Sequence, residues 1–265
     1  MKLLLKLSYI GTGYCGFQFQ KNGLTVQSVI TECAARVFGF PCSVTGCSRT
    51  DAGVHARGFV CSVEPKDRTE SEGDWLHIPV EKVHRAFAQI LPRDISVIAS
   101  AAVSDSFHPR YSAVGKQYTY RIWDAPWEDP FEYKRSMKSI FRISSGALVG
   151  MNRAAELFCG RHDFTSFMAS GSKITDPHRR VFDARVTRES GGAVAFTVSA
   201  DGFLYNMVRI MAGTLLAVAV GRLQPEDIPG IIESRDRKAA GATAPAWGLY
   251  LDRVFYNENI NWLST

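Results

Sequence analysis

The first part of the chain alternates strand-like patterns with helical ones. Leu3, Leu5 and Leu7 recur at every second position beside polar residues, which predicts a strand. By the same criteria of spacing and breaks, four more elements follow: a helix at 25–38, a strand at 54–63, a helix at 80–91 that stops before Pro92, and a strand at 95–103. The polar segment 64–75 predicts a solvated loop. Together these elements predict an α+β unit over residues 1–105.

The rest of the chain predicts a second unit of the same kind, over residues 106–265. Tyr118, Tyr120 and Ile122 alternate with Thr119 and Arg121, which indicates a strand at 117–123. The other predicted elements are a helix around 152–158, paired strands at 181–187 and 193–200 around a Gly-Gly turn, a helix at 203–220 and a final strand at 249–255. Strands and helices do not alternate as a doubly wound fold requires. Two similar α+β units with mostly antiparallel sheets are therefore predicted.

Two apolar stretches raise the question of a membrane. Lys6 interrupts the first, at residues 2–8, and no small-residue cleavage site follows it, so a strand is favoured over a signal peptide. Asn206 and Arg209 lie inside the second, at residues 203–221, whereas a bilayer span needs about 20 apolar residues in succession. A buried helix is the better interpretation, and no membrane association is expected.

Composition permits several classes of function and selects none. The formal net charge of +5 is compatible with a polyanionic partner without requiring one. Six cysteines occur without a CxxC pair or a Cys/His grouping at zinc spacing, which indicates reduced thiols in a cytoplasmic protein and no metal site. Aromatic and basic residues are mixed in segment 124–142, which suits either RNA contact or a surface loop with anchoring aromatics.

The strongest local signal is the segment GCSRTDAGVHA at 46–56, a loop of small residues leading into a strand. It places Arg49 two residues before Asp51. Small neighbours allow a backbone to approach a planar ligand, and Thr50 or a backbone amide is suited to orienting the carboxylate. Taken alone, an aspartate in such a loop is more typical of a turn or a helix cap.

The motifs resemble the bacterial tRNA pseudouridine synthase A family, in which RTDAGVHA is the signature around the catalytic aspartate. The resemblance covers nearly the whole chain. It continues through these blocks: TVQ at 25–27, LPRDI at 91–95, FHPR at 107–110, SAVGKQYTY at 112–120, GRHDFTSF at 160–167, FLYNMVR at 203–209 and GLYL at 248–251. It implies the pseudouridine synthase fold, with the two α+β units flanking a central RNA-binding cleft.

The same resemblance implies a role for individual residues. Asp51 matches the catalytic nucleophile, and Tyr118 matches the tyrosine that stacks on the base and assists proton removal from it. Arg49 matches the residue that fills the gap left by the extruded uridine. Arg209 is the candidate counterion of Asp51, and its apolar neighbours support this separately, because a guanidinium among them is expected to be paired. The following side chains are candidate contacts for the RNA backbone: Lys116, Arg110, Arg121, Arg179 and Arg180.

The implied activity is isomerisation of uridine in the anticodon arm of tRNA, at positions 38 to 40, by a cytoplasmic homodimer. No atoms enter or leave in that reaction, so no cofactor is implied. The sequence departs from the family pattern at Ile10, Phe17, Cys47 and Pro109, which leaves a divergent paralogue with other target positions as an alternative. Two further alternatives are a non-catalytic RNA-binding module, which gives no reason for Asp51 and Arg209 together, and a hydrolase or phosphotransferase, for which no P-loop or metal-carboxylate motif is present.

Overall fold

The computed structural model describes residues 1–67, 75–171 and 174–264, so part of the predicted loop at 64–75 lies outside the described residues. In chain order the helices are α1 (Val26–Phe38), α2 (Val83–Ala88), α3 (Ser145–Glu156), α4 (Met207–Ala219) and α5 (Asp227–Ser234). The strands are β1 (Lys2–Tyr9), β2 (Cys42–Gly46), β3 (His55–Pro65), β4 (Ile95–Val103), β5 (Ala113–Trp123), β6 (Met137–Lys138), β7 (Gly160–Asp163), β8 (His178–Arg188), β9 (Val194–Ala200) and β10 (Leu249–Tyr256). Short 3₁₀ turns lie at Gly11–Gly13, Val80–Lys82, Thr165–Phe167 and Ala246–Gly248.

The described residues form two compact units, Met1–Val114 with Leu251–Thr265, and Gly115–Tyr250. Each contains helices packed on a sheet whose long strands pair antiparallel. The predicted α+β class with mostly antiparallel sheets is therefore confirmed. The division into units over residues 1–105 and 106–265 stays a prediction.

In the first unit the strand order is β4-β1-β3-β10, and β2 pairs with the far part of β3. Because β1 has a neighbour on each side and packing on both faces, Leu4 is as fully buried as Leu5. The alternation that predicted this strand therefore describes only one of its two buried faces. Phe59 and Phe87 fill the core around it.

The two predicted helices of this unit differ in how closely they match. The helix predicted at 25–38 is confirmed as α1. It begins at Val26 because Thr25 and Ser28 form a reciprocal capping box, in which each side chain accepts the other's backbone N–H at 3.2 Å. The helix predicted at 80–91 begins as the 3₁₀ turn, and α2 then ends at Ala88. The last residues of the predicted helix form a turn instead, in which the backbone N–H groups of Ile90 and Leu91 donate to the carbonyl of Phe87, ahead of Pro92.

In the second unit the strand order is β5-β9-β8-β7, all antiparallel, and the two-residue β6 runs parallel to β5. The hairpin predicted around the Gly-Gly turn is formed by β8 and β9. Helix α3 begins seven residues earlier than predicted, because the Ser144 side chain accepts the backbone N–H of Ala147 as an N-cap. The short elements β2, β6, β7 and α5 were not predicted.

The helix predicted at 203–220 begins only at Met207. Asn206, immediately before it, has a left-handed backbone (φ 60°), which is incompatible with continuing the helix backwards through Phe203. Arg209 therefore lies in the first turn of α4 rather than in the middle of an apolar helix. In the described part of the chain, no helix has the length and apolar character needed to cross a bilayer.

Candidate active site

Asp51 lies in the loop that joins β2 to β3 in the first unit, and its side chain is partly buried. The ladder continues into the loop, because the backbone N–H of Cys47 donates to the carbonyl of Val60 at 2.8 Å. At the other end, the N–H of Val54 donates to the carbonyl of Asp51 at 3.2 Å and closes a turn. Both ends of the loop are thus fixed to the sheet, and the carboxylate is carried on a short, supported segment.

A second loop, 10–17, packs directly against the Asp51 loop. A Cβ atom on Gly11 would lie 1.9 Å from the carbonyl oxygen of Val54, and one on Gly16 would lie 2.4 Å from that of Thr50. Hydrogen bonds join the two segments, since the N–H of Phe17 donates to the carbonyl of Thr50 at 3.2 Å. Only glycine permits this approach. The position of Asp51 therefore depends on residues that are distant from it in sequence.

The side chain of Thr50 contributes to the same support. Its hydroxyl lies 3.0 Å from the hydroxyl of Tyr9, at the end of β1, and Thr50 is 7% exposed. The sequence suggested Thr50 as a group that orients the Asp51 carboxylate. In the structure, the contact described for its hydroxyl ties the loop to β1 instead.

Two of the departures from the family pattern are core residues. Phe17 is buried and stacks on Phe59, with ring centroids 4.1 Å apart and planes inclined by 26°. Cys47 is fully buried, and its sulfur accepts the backbone N–H of Val60 at 3.4 Å. These contacts give the two positions a packing role and supply no reason for altered target choice.

Tyr118 and Tyr120 lie on β5 of the second unit and differ in their surroundings. Tyr118 is 6% exposed, and its ring meets that of Phe203 edge-on at 5.1 Å. The hydroxyl of Tyr120 donates to the carbonyl of Pro245 at 2.8 Å, and burial raises the pKa of its phenol even though the charge of Arg209 acts in the opposite direction. Tyr120 is thus a neutral core residue.

Arg209 is partly buried and held at two of its nitrogens. Nε donates to the carbonyl of Ala244 and Nη1 donates to Oδ1 of Asn206, both at 2.7 Å. The backbone adds a third link, because the N–H of Ala244 donates to the carbonyl of Arg209 at 3.1 Å. This arrangement fixes the plane of the guanidinium. The Arg209 side chain therefore has a defined orientation and does not point freely into solvent.

Three of the candidate RNA contacts keep side chains that are at least partly accessible. Arg49 is exposed, whereas Lys116 and Arg110 are partly buried. Arg49 and Arg110 lie in the first unit, and Lys116 lies on β5 of the second. Arg121 was wrongly included. Its guanidinium is chelated by Glu132, with bonds of 2.9 and 3.0 Å, and by Glu189, with bonds of 2.9 and 3.0 Å, so that it serves as a structural ion-pair centre.

The aromatic residues of segment 124–142 are mostly exposed. Trp127, Phe131 and Tyr133 are 60%, 81% and 70% exposed, respectively. Trp127 retains one tie to the core, because its carbonyl accepts the indole N–H of Trp123 at 3.0 Å. Of the two interpretations, anchoring aromatics fit Phe131 and Tyr133 poorly, and a surface that offers rings for stacking fits them better.

The described residues contain no group of three or more histidine, cysteine, aspartate or glutamate side chains arranged to hold a metal ion. What the sequence reasoning missed is Asn206. The signal was present, because an asparagine directly before an apolar helix is a common terminus residue and tolerates a left-handed backbone.

Comparison with known proteins gives consistent matches. The family model described as tRNA pseudouridine synthase matches residues 154–257. The chain is 42% identical over 255 residues to a tRNA pseudouridine synthase A of Ruminiclostridium cellulolyticum, covering 96% of this chain and 99% of that protein. It is 42% identical over 254 residues to a tRNA pseudouridine synthase A of Caldicellulosiruptor saccharolyticus, with 96% and 99% covered. Among solved structures, the crystal structure of a Cbf5-Nop10-Gar1 complex aligns with 96% of this chain and 50% of that chain at 10% identity. Its TM-score of 0.38 is too low to establish a shared fold.

Proposed function

We infer that this chain, which belongs to the tRNA pseudouridine synthase A family, acts on uridines of the anticodon stem-loop, at positions 38 to 40. Membership makes it an isomerase that converts uridine in tRNA to pseudouridine. The observation that carries the proposal is the near full-length match, combined with a signature loop that the fold holds at both ends. The narrower target assignment rests on the family resemblance.

The reaction breaks the bond between C1′ of ribose and N1 of uracil, turns the base, and joins C1′ to C5. We propose that Asp51 acts as an ionised carboxylate in this exchange, either by attacking the sugar or the base or by removing a sugar proton. Every atom of the substrate is retained, so the balance requires no cofactor. The partial burial of Asp51, in a loop fixed to the sheet, supports this role because a positioned nucleophile loses little entropy on reacting.

Arg209 is proposed as the cation that keeps Asp51 ionised. Burial alone favours the protonated form of a carboxyl group, and a nearby guanidinium opposes that effect. The two hydrogen bonds that fix the Arg209 side chain support the assignment, since they leave its charge in a defined place. Asp51 and Arg209 belong to different units, and their pairing is part of the proposal.

Tyr118 is proposed to stack on the target uracil and to assist removal of the proton from C5. Arg49 is proposed to occupy the gap left by the extruded nucleotide, which costs a few kcal/mol to unstack. Lys116 and Arg110 are proposed as phosphate contacts, and the exposed rings of Phe131 and Tyr133 suit stacking on RNA. A homodimer located in the cytoplasm completes the proposal.

The test is nucleoside mapping of bulk tRNA before and after incubation with the purified protein. New pseudouridine at positions 38 to 40 is the expected result. Pseudouridine at other positions would contradict the target assignment and favour a paralogue with shifted specificity. Binding of tRNA without any new carbon-linked nucleoside would favour a non-catalytic RNA-binding module.

A further inference from the structure

One edge of the second unit carries a basic cavity that the proposed catalytic roles do not use. It lies where β7 pairs with β8, and its volume is about 760 Å³. Its charged lining consists of Arg161, Arg179, Arg180, His178, Asp176 and Asp201. Three arginines thus face two aspartates, which leaves a positive balance at a sheet edge.

Arg161 and Arg180 lie directly opposite each other in the β7–β8 ladder. Opposite residues of an antiparallel pair share a face, with Cβ atoms about 4.5–5.5 Å apart, and like charges in that arrangement are destabilising. Both side chains are exposed. Within the described residues, neither guanidinium forms an ion pair or a hydrogen bond with a carboxylate. The fold therefore holds two cations side by side without pairing either of them directly to a carboxylate.

The two aspartates of the cavity form their described hydrogen bonds with backbone N–H groups and with His178. Asp176 accepts hydrogen bonds from the backbone N–H of His178 at 2.9 Å and from its Nδ1 at 2.8 Å, and these bonds hold the pKa of Asp176 below its usual value. Asp201 accepts the backbone N–H of Arg180 at 3.0 Å. Both carboxylates thus serve to shape the chain around β8.

Arg179 is also committed to local structure. Its Nη1 donates to the carbonyl of Asp176 at 3.0 Å and to that of His178 at 2.5 Å. Nearby, Gly202 gives it room, because a Cβ atom there would lie 3.3 Å from Nε of Arg179. These contacts distinguish Arg179 from Arg161 and Arg180, which are left to bind an anion.

We propose that Arg161 and Arg180 form a phosphate-binding subsite that holds the backbone of the substrate RNA, an inference that rests on the proposed function. A phosphate between two guanidinium forks removes their repulsion and accepts charge-assisted hydrogen bonds from both. Because the side chains are exposed on an open sheet edge, the site suits a backbone phosphate and reads no base.

The experiment compares wild type with Arg161→Gln, Arg180→Gln and the double variant. The dissociation constant for a tRNA transcript is measured at several KCl concentrations, and pseudouridine formation is measured at saturating tRNA. Arg185→Gln is the matched control, because Arg185 is an exposed arginine on the same strand whose guanidinium pairs with Asp183. Thermal unfolding of the free proteins checks the fold, and no variant of the pair should melt below wild type, since the substitution relieves repulsion.

Each single variant should flatten the slope of log Kd against log salt by about 0.7–0.9, and the double variant by about twice that amount. At low salt the double variant should bind tRNA about tenfold more weakly. The variants should have a higher Kd for tRNA but an unchanged rate of pseudouridine formation at saturating tRNA. Arg185→Gln should retain the wild-type slope.

Slopes and dissociation constants equal to wild type in both single variants would overturn the subsite. So would a loss of rate at saturation with Kd unchanged. A wild-type protein that binds tRNA but forms no pseudouridine would refute the proposed function alone, because the subsite is judged on Kd. Failure of the wild type to bind tRNA would refute both.

Discussion

Oδ1 of Asn206 accepts a hydrogen bond from Nη1 of Arg209 at 2.7 Å. Asn206 itself has a left-handed backbone and lies immediately before the start of α4. An asparagine serves both needs, since it tolerates a positive φ and supplies a carbonyl acceptor. Its contact leaves the guanidinium anchored on both sides, with Ala244 as the second acceptor. The orientation of the proposed counterion is therefore set by a residue outside the helix.

Replacing Asn206 separates these two functions. Asn206→Gly keeps a residue that adopts positive φ and removes the acceptor, whereas Asn206→Asp keeps an acceptor oxygen. We expect the single-turnover rate of Asn206→Gly to fall about tenfold, as for loss of one hydrogen bond to a charged group. Asn206→Asp adds a negative charge beside the Arg209 guanidinium, which weakens its effect on Asp51, so the rate of this variant should also fall and should recover as the pH rises. Equal rates for Asn206→Gly and wild type would show that the contact does not position Arg209 for the reaction.

The close approach of loop 10–17 to the Asp51 loop predicts a difference between two glycines. Gly11→Ala places a Cβ atom against the carbonyl oxygen of Val54, so the loops must separate, at a cost of about 1–3 kcal/mol. Both the free energy of unfolding and the rate of pseudouridine formation should fall. Gly13→Ala meets no atom within 4 Å and is the control. Identical behaviour of the two variants would contradict the proposed support of the loop.

The pair formed by Asp124 and Arg188 predicts a pH-dependent contribution to stability. Burial tends to raise the pKa of Asp124, but the bidentate bonds from Arg188 at 2.8 and 2.9 Å and the N–H of Ile143 outweigh it, so the pKa lies below its usual value. A carboxyl group with a depressed pKa stabilises the fold above its unfolded value, about 3.9, and this contribution is lost as pH falls through the folded pKa.

Asp124→Asn should therefore lower the free energy of unfolding by about 3 kcal/mol at pH 7, the lower end for a buried pair because Arg188 is partly exposed. The deficit relative to wild type should shrink as the pH falls below about 4. Urea unfolding across this range is the measurement, with the exposed Glu128→Gln as the control. A deficit that is independent of pH would assign the loss to packing rather than to charge.

Local patterns predicted the elements that rely on local signals. Strand β4 has the predicted limits, and α1 matches the predicted helix to within one residue. Both were predictable because alternation and helical spacing are patterns of neighbouring residues. Elements that depend on tertiary pairing were missed. Strand β7 is only four residues long and exists through its ladder with β8, and β2 pairs with β3.

The candidate site shows the same limit. The motif identified Asp51, but no local pattern shows that Gly11 and Gly16 support its loop across more than 30 residues of sequence. Charge alone also led to an incorrect prediction. Arg121 was predicted to contact RNA because it is basic, but the fold places Glu132 and Glu189 beside its guanidinium. Conversely, the cationic pair of Arg161 and Arg180 arises only from strand register.

The most direct test of the account is the amount of pseudouridine formed in tRNA by Asp51→Asn and by wild type under single-turnover conditions. The amide retains the shape of the side chain and removes its charge and nucleophilicity. The account predicts that wild type forms pseudouridine in the anticodon arm, whereas Asp51→Asn remains folded, binds tRNA with a similar dissociation constant and forms none at any pH. Turnover by a folded Asp51→Asn at the wild-type rate would contradict the central claim that Asp51 is the catalytic carboxylate.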